Sequence, residues 1–106
     1  MTNYTRGRAI EYRVKNHLEG RGYYVFRTAG SHSLFDLLAF RSDVIRLIQV
    51  KSEKHRISAF EKAEMQSWLN THQCNPLIYG HFAQPLKRGN KLTLQFFSST
   101  GDKIDI

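Results

Sequence analysis

Apolar positions at the start of the chain recur with helical spacing. Ile10, Val14, His17 and Leu18 form an i, i+4, i+7, i+8 stripe, and Gly20 and Gly22 follow it as stop signals. The spacing predicts a helix over residues 5–19. The pattern then changes to short runs rich in β-branched and aromatic residues, at 23–28, 34–40 and 44–51, which predict three strands. The brief Arg41-Ser42-Asp43 link predicts an antiparallel hairpin between the second and third. Ser58 followed three residues later by Glu61 has the form of a capping box. It opens a second helix reaching about His72, with Ala59, Ala63, Trp68 and Leu69 as inward candidates, and Asn75-Pro76 closes it. Two further strands, 77–82 and 91–98, flank a polar stretch at 84–90, and 102–106 is either a short edge strand or a frayed tail.

The order αβββαββ describes an α/β fold, a mixed sheet with helices packed on it. No repeat, low-complexity tract or linker interrupts it, and 106 residues suffice for one core, so a single domain over 1–106 is expected.

Chemistry concentrates in the expected hairpin. A tight turn at Ser42-Asp43 pairs Arg41 with Val44 and sets Asp36 directly across from Gln49; a three-residue turn shifts that register by one. Gln49 and Lys51, two apart in a strand, share a face while Val50 turns to the other. Asp36 stands alone in an apolar run, where a carboxylate is costly to bury without compensation, and a divalent cation is one such compensation. The Asp36 carboxylate, the Gln49 amide oxygen and the Val50 carbonyl are hard oxygen donors, and Lys51 adds an ammonium. Phosphodiester hydrolysis needs those parts: a held cation, an in-line water, and positive charge on the developing pentavalent phosphate.

Charge points to the same substrate class. Sixteen Lys and Arg against nine Asp and Glu leave +7, which suits a polyanion such as DNA. The single cysteine, Cys74, excludes an internal disulfide and has no basic neighbour to activate it, and the five histidines lack zinc-ligand spacing. No apolar run approaches the roughly 18 residues of a membrane span or opens the chain as a signal peptide, so an intracellular protein, in cytoplasm or nucleoid, is expected.

The ordered set of Glu11 on a helix, Phe35-Asp36 on a strand and Gln49-Val50-Lys51 on the next resembles the restriction-endonuclease-like PD-(D/E)XK nucleases. Within that superfamily, Gly7-Arg8-Ala9-Ile10-Glu11, Ala29-Gly30-Ser31, Asp36 and Gln49-Val50-Lys51-Ser52 are similar to the layout of the archaeal-type Holliday junction resolvases, over nearly the whole chain. Phe35 stands where the pattern often has proline, and Gln49 stands for the acid of acid-x-Lys, a neutral amide that binds Mg²⁺ more weakly than a carboxylate. Gln at this position is familiar from Mrr-type and virus-type replication-repair nucleases.

The resemblance implies a metal-dependent DNA endonuclease with Glu11, Asp36, Gln49 and Lys51 as catalytic residues. Mg²⁺, or alternatively Mn²⁺, would be held by Asp36, Gln49, Val50 and Glu11. It further implies a homodimer acting on a four-way junction, with helix two and the strand at 92–97 as apolar dimer surfaces. Phosphate contacts are assigned to Arg6, Arg8, Lys54, His55, Arg56 and one of Ser31 or Ser33. Local alternatives stand beside these roles: Glu11 pairing with Lys15 on a helix surface, 51–56 as a solvated charged loop, and 28–33 as a plain strand connection. Two other functions fit the same residues: an Mrr-type or replication-repair nuclease acting on duplex, flaps or ends, and a non-catalytic DNA-binding module in which Gln49 marks a decayed site.

Overall fold

The first apolar stripe forms a helix, α1 (Asn3–Gly20), in the computed structural model, which describes residues 3–28, 34–42, 44–52, 56–72 and 78–106. The helix ends through Gly22 at φ 90°. That left-handed backbone lets the Gly22 N–H donate to the Glu19 carbonyl at 3.0 Å and the Tyr23 N–H to the Leu18 carbonyl at 3.1 Å. Gly20, the other expected stop, is the last helical residue.

After α1 come β1 (Tyr24–Arg27), β2 (Leu37–Arg41), β3 (Val44–Val50), α2 (Ala59–His72), β4 (Ile78–Arg88), β5 (Lys91–Ser98) and β6 (Lys103–Ile104). The six strands lie side by side in chain order. All neighbours are antiparallel except β3 and β4, which run parallel because α2 carries the chain back between them. Ser42 stands at φ 54° after β2, and the β2–β3 register runs from Arg41↔Val44 to Leu37↔Ile48. The tail supplies the edge strand β6.

Alternation along the strands sorts the core onto two faces. Val14 and Leu18 of α1 pack with Val25, Leu37, Ala39, Ile48, Ala83 and Phe96 on one face. Met65 of α2 packs with Phe35, Leu47 and Phe82 on the other. Gly80 allows α2 this close approach: a Cβ there would stand 2.9 Å from both Leu69 and Met65. No helix among the described residues is long and apolar enough to cross a membrane.

Three expectations are corrected. The second strand begins at Leu37 rather than Leu34, because Phe35 turns into the core against the edge of Trp68, ring centroids 5.0 Å apart, instead of extending the ladder. The fourth strand, expected to end at Phe82, runs on through the polar stretch to Arg88 and turns at Gly89-Asn90. Pro85 is tolerated there because Ala83 accepts from Lys51 on the β3 side, so Pro85, two residues on, turns its nitrogen towards the same side, where the β3 ladder has already ended at Val50↔Ala83. On α2, Ala59 and Ala63 are exposed, while Met65 is fully buried and Trp68 and Leu69 line the core. The inward face was set by large side chains rather than by the alanines.

Candidate active site

The β2–β3 ladder ends at Leu37↔Ile48, and just past it the Asp36 N–H donates to the Ile48 carbonyl at 2.8 Å, one residue out of register, so Asp36 leaves the regular ladder while staying against the C-terminal end of β3. Thr28 pins this segment from the other side: its N–H donates to the Asp36 carbonyl at 3.0 Å and its hydroxyl to the Phe35 carbonyl at 2.6 Å. The Asp36 Oδ2 accepts the Val50 N–H at 2.7 Å, which orients the carboxylate against the end of β3. Burial pushes the Asp36 carboxyl above the ordinary carboxylate value; the Val50 N–H opposes this, Glu11 adds to it, and Lys51 and Arg27 draw it down. Lys51 follows Val50, whose N–H holds Asp36, and Glu11 meets Arg27, the residue before the Thr28 that donates to the Asp36 carbonyl.

Gln49 has a buried Oε1 with no hydrogen-bond partner among the described residues. Leaving a buried acceptor unpaired costs about 1–3 kcal/mol, so such an atom, one residue before the Val50 N–H that holds the Asp36 carboxylate, asks for a ligand. Among the described residues no three His, Cys, Asp or Glu side chains come together to hold a metal ion. The donors present are one carboxylate, one amide oxygen and backbone carbonyls, a set of hard oxygens that fits Mg²⁺ with several of its waters retained. Val50 turns its side chain into the α1 face, and its main chain runs between Gln49 and Lys51 at the site.

Lys51 follows β3 directly, held by its N–H to the Ala83 carbonyl at 2.7 Å. Its ammonium pairs with Glu61 on α2. Glu11 does not pair with Lys15, which instead bridges to Glu19 at 2.9 Å. Glu11 meets Arg27 of β1, Oε1 to Nε 3.3 Å, with both side chains partly buried. Arg27 in turn lies over the Tyr12 ring at 5.1 Å, as Arg8 does at 5.8 Å. Arg8 hydrogen-bonds the Tyr12 hydroxyl and, with Arg27, lowers its pKa.

Of the expected phosphate contacts, Arg8 is exposed on α1 beside this cluster and Arg56 is exposed two residues before the cap of α2. Ser31, Ser33, Lys54, His55 and the side chain of Arg6 lie outside the described residues. Arg27 and Glu61 were missed from the sequence. Arg27 carried a faint signal, a cation in phase with buried Val25 and Tyr23; Glu61 was already accounted for by its cap.

A model of the archaeal Holliday junction resolvase (Hjc) family matches residues 2–97. The chain belongs to that family. It is similar to the solved structure of Hjc from the hyperthermophile Archaeoglobus fulgidus, a Holliday junction resolvase, with a TM-score of 0.67 and 22% identity over 89% of this chain and 73% of that one. No curated protein matches the sequence. Membership of the resolvase family makes this a structure-selective DNA endonuclease of recombination, and the six-stranded mixed sheet between two helices is the resolvase fold.

Proposed function

We propose that this resolvase-family chain is a Mg²⁺-dependent endonuclease that nicks four-way DNA junctions as a homodimer inside the cell, built as one domain over residues 1–106. The observation that carries the metal dependence is the buried Gln49 Oε1, without a partner among the described residues and one residue from the Val50 N–H that holds Asp36. Asp36, Gln49 and the Val50 carbonyl would hold the cation, with Glu11 as a further ligand or as the group that orients the water. The cation supplies Lewis acidity at the scissile phosphate. Asp36 is already oriented by the Val50 N–H, so little rearrangement is needed when it binds. Lys51 places its ammonium where charge develops as water adds to phosphorus and one P–O bond breaks. Arg8 and Arg56 supply backbone contacts, and Arg27 holds Glu11 in place. Paired cuts across a two-fold junction call for two sites related by a two-fold axis, which a homodimer provides.

The deciding experiment is cleavage of a labelled four-way junction and its matching linear duplex with Mg²⁺, Mn²⁺ or EDTA. Paired, metal-dependent nicks confined to the junction are expected. Cutting of both substrates would move the chain to the Mrr-type or repair nucleases, and salt-sensitive binding without cutting would mark a decayed site.

A further inference from the structure

Glu61 uses its two oxygens for two purposes. Oε1 accepts the Ser58 N–H at 3.0 Å while the Ser58 hydroxyl accepts the Glu61 N–H at 3.1 Å, a closed capping box at the start of α2. Oε2 points out of the helix and pairs with the ammonium of Lys51, ten residues earlier at the end of β3. The two side chains are only 12% and 21% exposed, so this pair escapes most of the screening that makes surface ion pairs weak. Burial works against ionisation of Glu61, yet its hydrogen bonds from Lys51 and with Ser58 hold its pKa below the ordinary carboxylate value.

Lysine is a point charge on a flexible four-carbon stem with three donors. One donor to Glu61 leaves two, and Lys51 directly follows Val50, whose N–H holds the Asp36 carboxylate. Gln49, beside Lys51 on the strand, carries no charge that could hold it. We propose that Glu61 is the positioning residue for Lys51 in junction cleavage, standing on α2 in place of a second carboxylate on β3. This rests on Lys51 acting at the site.

The test separates the two jobs of Glu61. Glu61→Gln keeps an amide oxygen for the Ser58 N–H but removes the charge that holds Lys51; Ser58→Ala weakens the cap and leaves the ion pair. Both full-length variants are assayed for single-turnover junction cleavage with Mg²⁺, junction affinity in EDTA, thermal midpoint, and the ¹⁵N signal of the Lys51 ammonium, assigned by its loss in Lys51→Arg. For Glu61→Gln the expected result is a cleavage rate lower by about 10- to 100-fold, unchanged junction affinity and a lost ammonium signal. Ser58→Ala should lower the midpoint by about 4–8 °C while keeping rate and signal. Cleavage by Glu61→Gln at or above the parent rate overturns the proposal, as does an equal loss of rate in Ser58→Ala. Should the parent protein cut nothing, the nuclease reading fails by itself, and an ammonium signal that survives Glu61→Gln overturns the positioning role independently.

Discussion

The two ends of one sheet hold polar clusters of similar size and opposite chemistry. At the C-terminal end of β3, around Gln49, the side chains of Asp36, Lys51, Glu61, Glu11 and Arg27 compensate one another charge against charge. At the hairpin end, on the α1 face, Arg41 and Arg46 are compensated by dipoles and rings. Arg46 donates to the Tyr23 hydroxyl at 2.8 Å, contacts His81 Nε2 at 2.9 Å and lies 5.5 Å from the Tyr79 ring centroid. Arg41 donates to the Arg21 carbonyl at 2.7 Å and lies over Tyr23 at 4.5 Å.

Among the described residues each cluster keeps one buried side-chain atom without a partner, Gln49 Oε1 at the first and His81 Nδ1 at the second. The orphan in the first is an oxygen one residue from the Val50 N–H that holds the Asp36 carboxylate, and can take a hard cation. The orphan in the second is a ring nitrogen beside a guanidinium, where a cation would be repelled. A buried unpaired atom therefore marks a metal site only in an oxygen-rich, negatively charged setting.

The largest expected effect belongs to the first end. Asp36→Asn and Lys51→Ala should each slow junction cleavage by at least about 10²–10³-fold while leaving junction binding in EDTA within about two-fold. Unimpaired cleavage by either would remove the contrast between the ends.

Stability against pH should separate the ends by sign. His81 has its pKa lowered to about 4 by burial and by the Arg46 charge. The unfolded chain takes up a proton near 6.5 while the folded one resists it. Stability from this group is thus fully present above pH 6.5 and is lost as pH falls towards 4, by about 3 kcal/mol in all. His81→Gln, which keeps an acceptor for Arg46, should flatten that acid loss in denaturant titrations. Asp36 acts the other way: its raised pKa lowers stability as pH rises from the acid range. Asp36→Asn should therefore raise the thermal midpoint at neutral pH, with the gain vanishing below pH 3.8, the ordinary carboxylate value. A gain that persists in acid would show that the Asn side chain packs better, with no contribution from ionisation.

The smallest effect concerns the orphan oxygen. Gln49→Met fills similar space without a polar atom, and should stabilise the protein by about 1 kcal/mol, or about 4–8 °C, while abolishing Mg²⁺ binding followed by calorimetry. Retained Mg²⁺ binding would take Gln49 out of the ligand set.

Much of this is legible in the sequence, for reasons that are local. The end of α1 follows from a glycine able to adopt positive φ, the capping box from two side chains three residues apart, and the hairpin register from Arg41↔Val44 to Leu37↔Ile48 from a short turn and a period of two. Fourth-strand length was misread because a proline and a run of cations resemble a loop, and only the missing β3 neighbour beyond Ala83 makes them acceptable in a strand.

By itself, then, the sequence determined the order of elements, the hairpin register and the residues that meet across it. The tertiary structure decided which charges compensate them. Lys51 and Glu61 meet across ten residues because α2 packs back over β3 and β4, and Glu11 meets Arg27 across sixteen because α1 lies against β1. Such pairs depend on how whole elements dock, and the docking is set by apolar packing around Met65, Gly80, Val14 and Leu18, which carries no record of the polar partners it brings together.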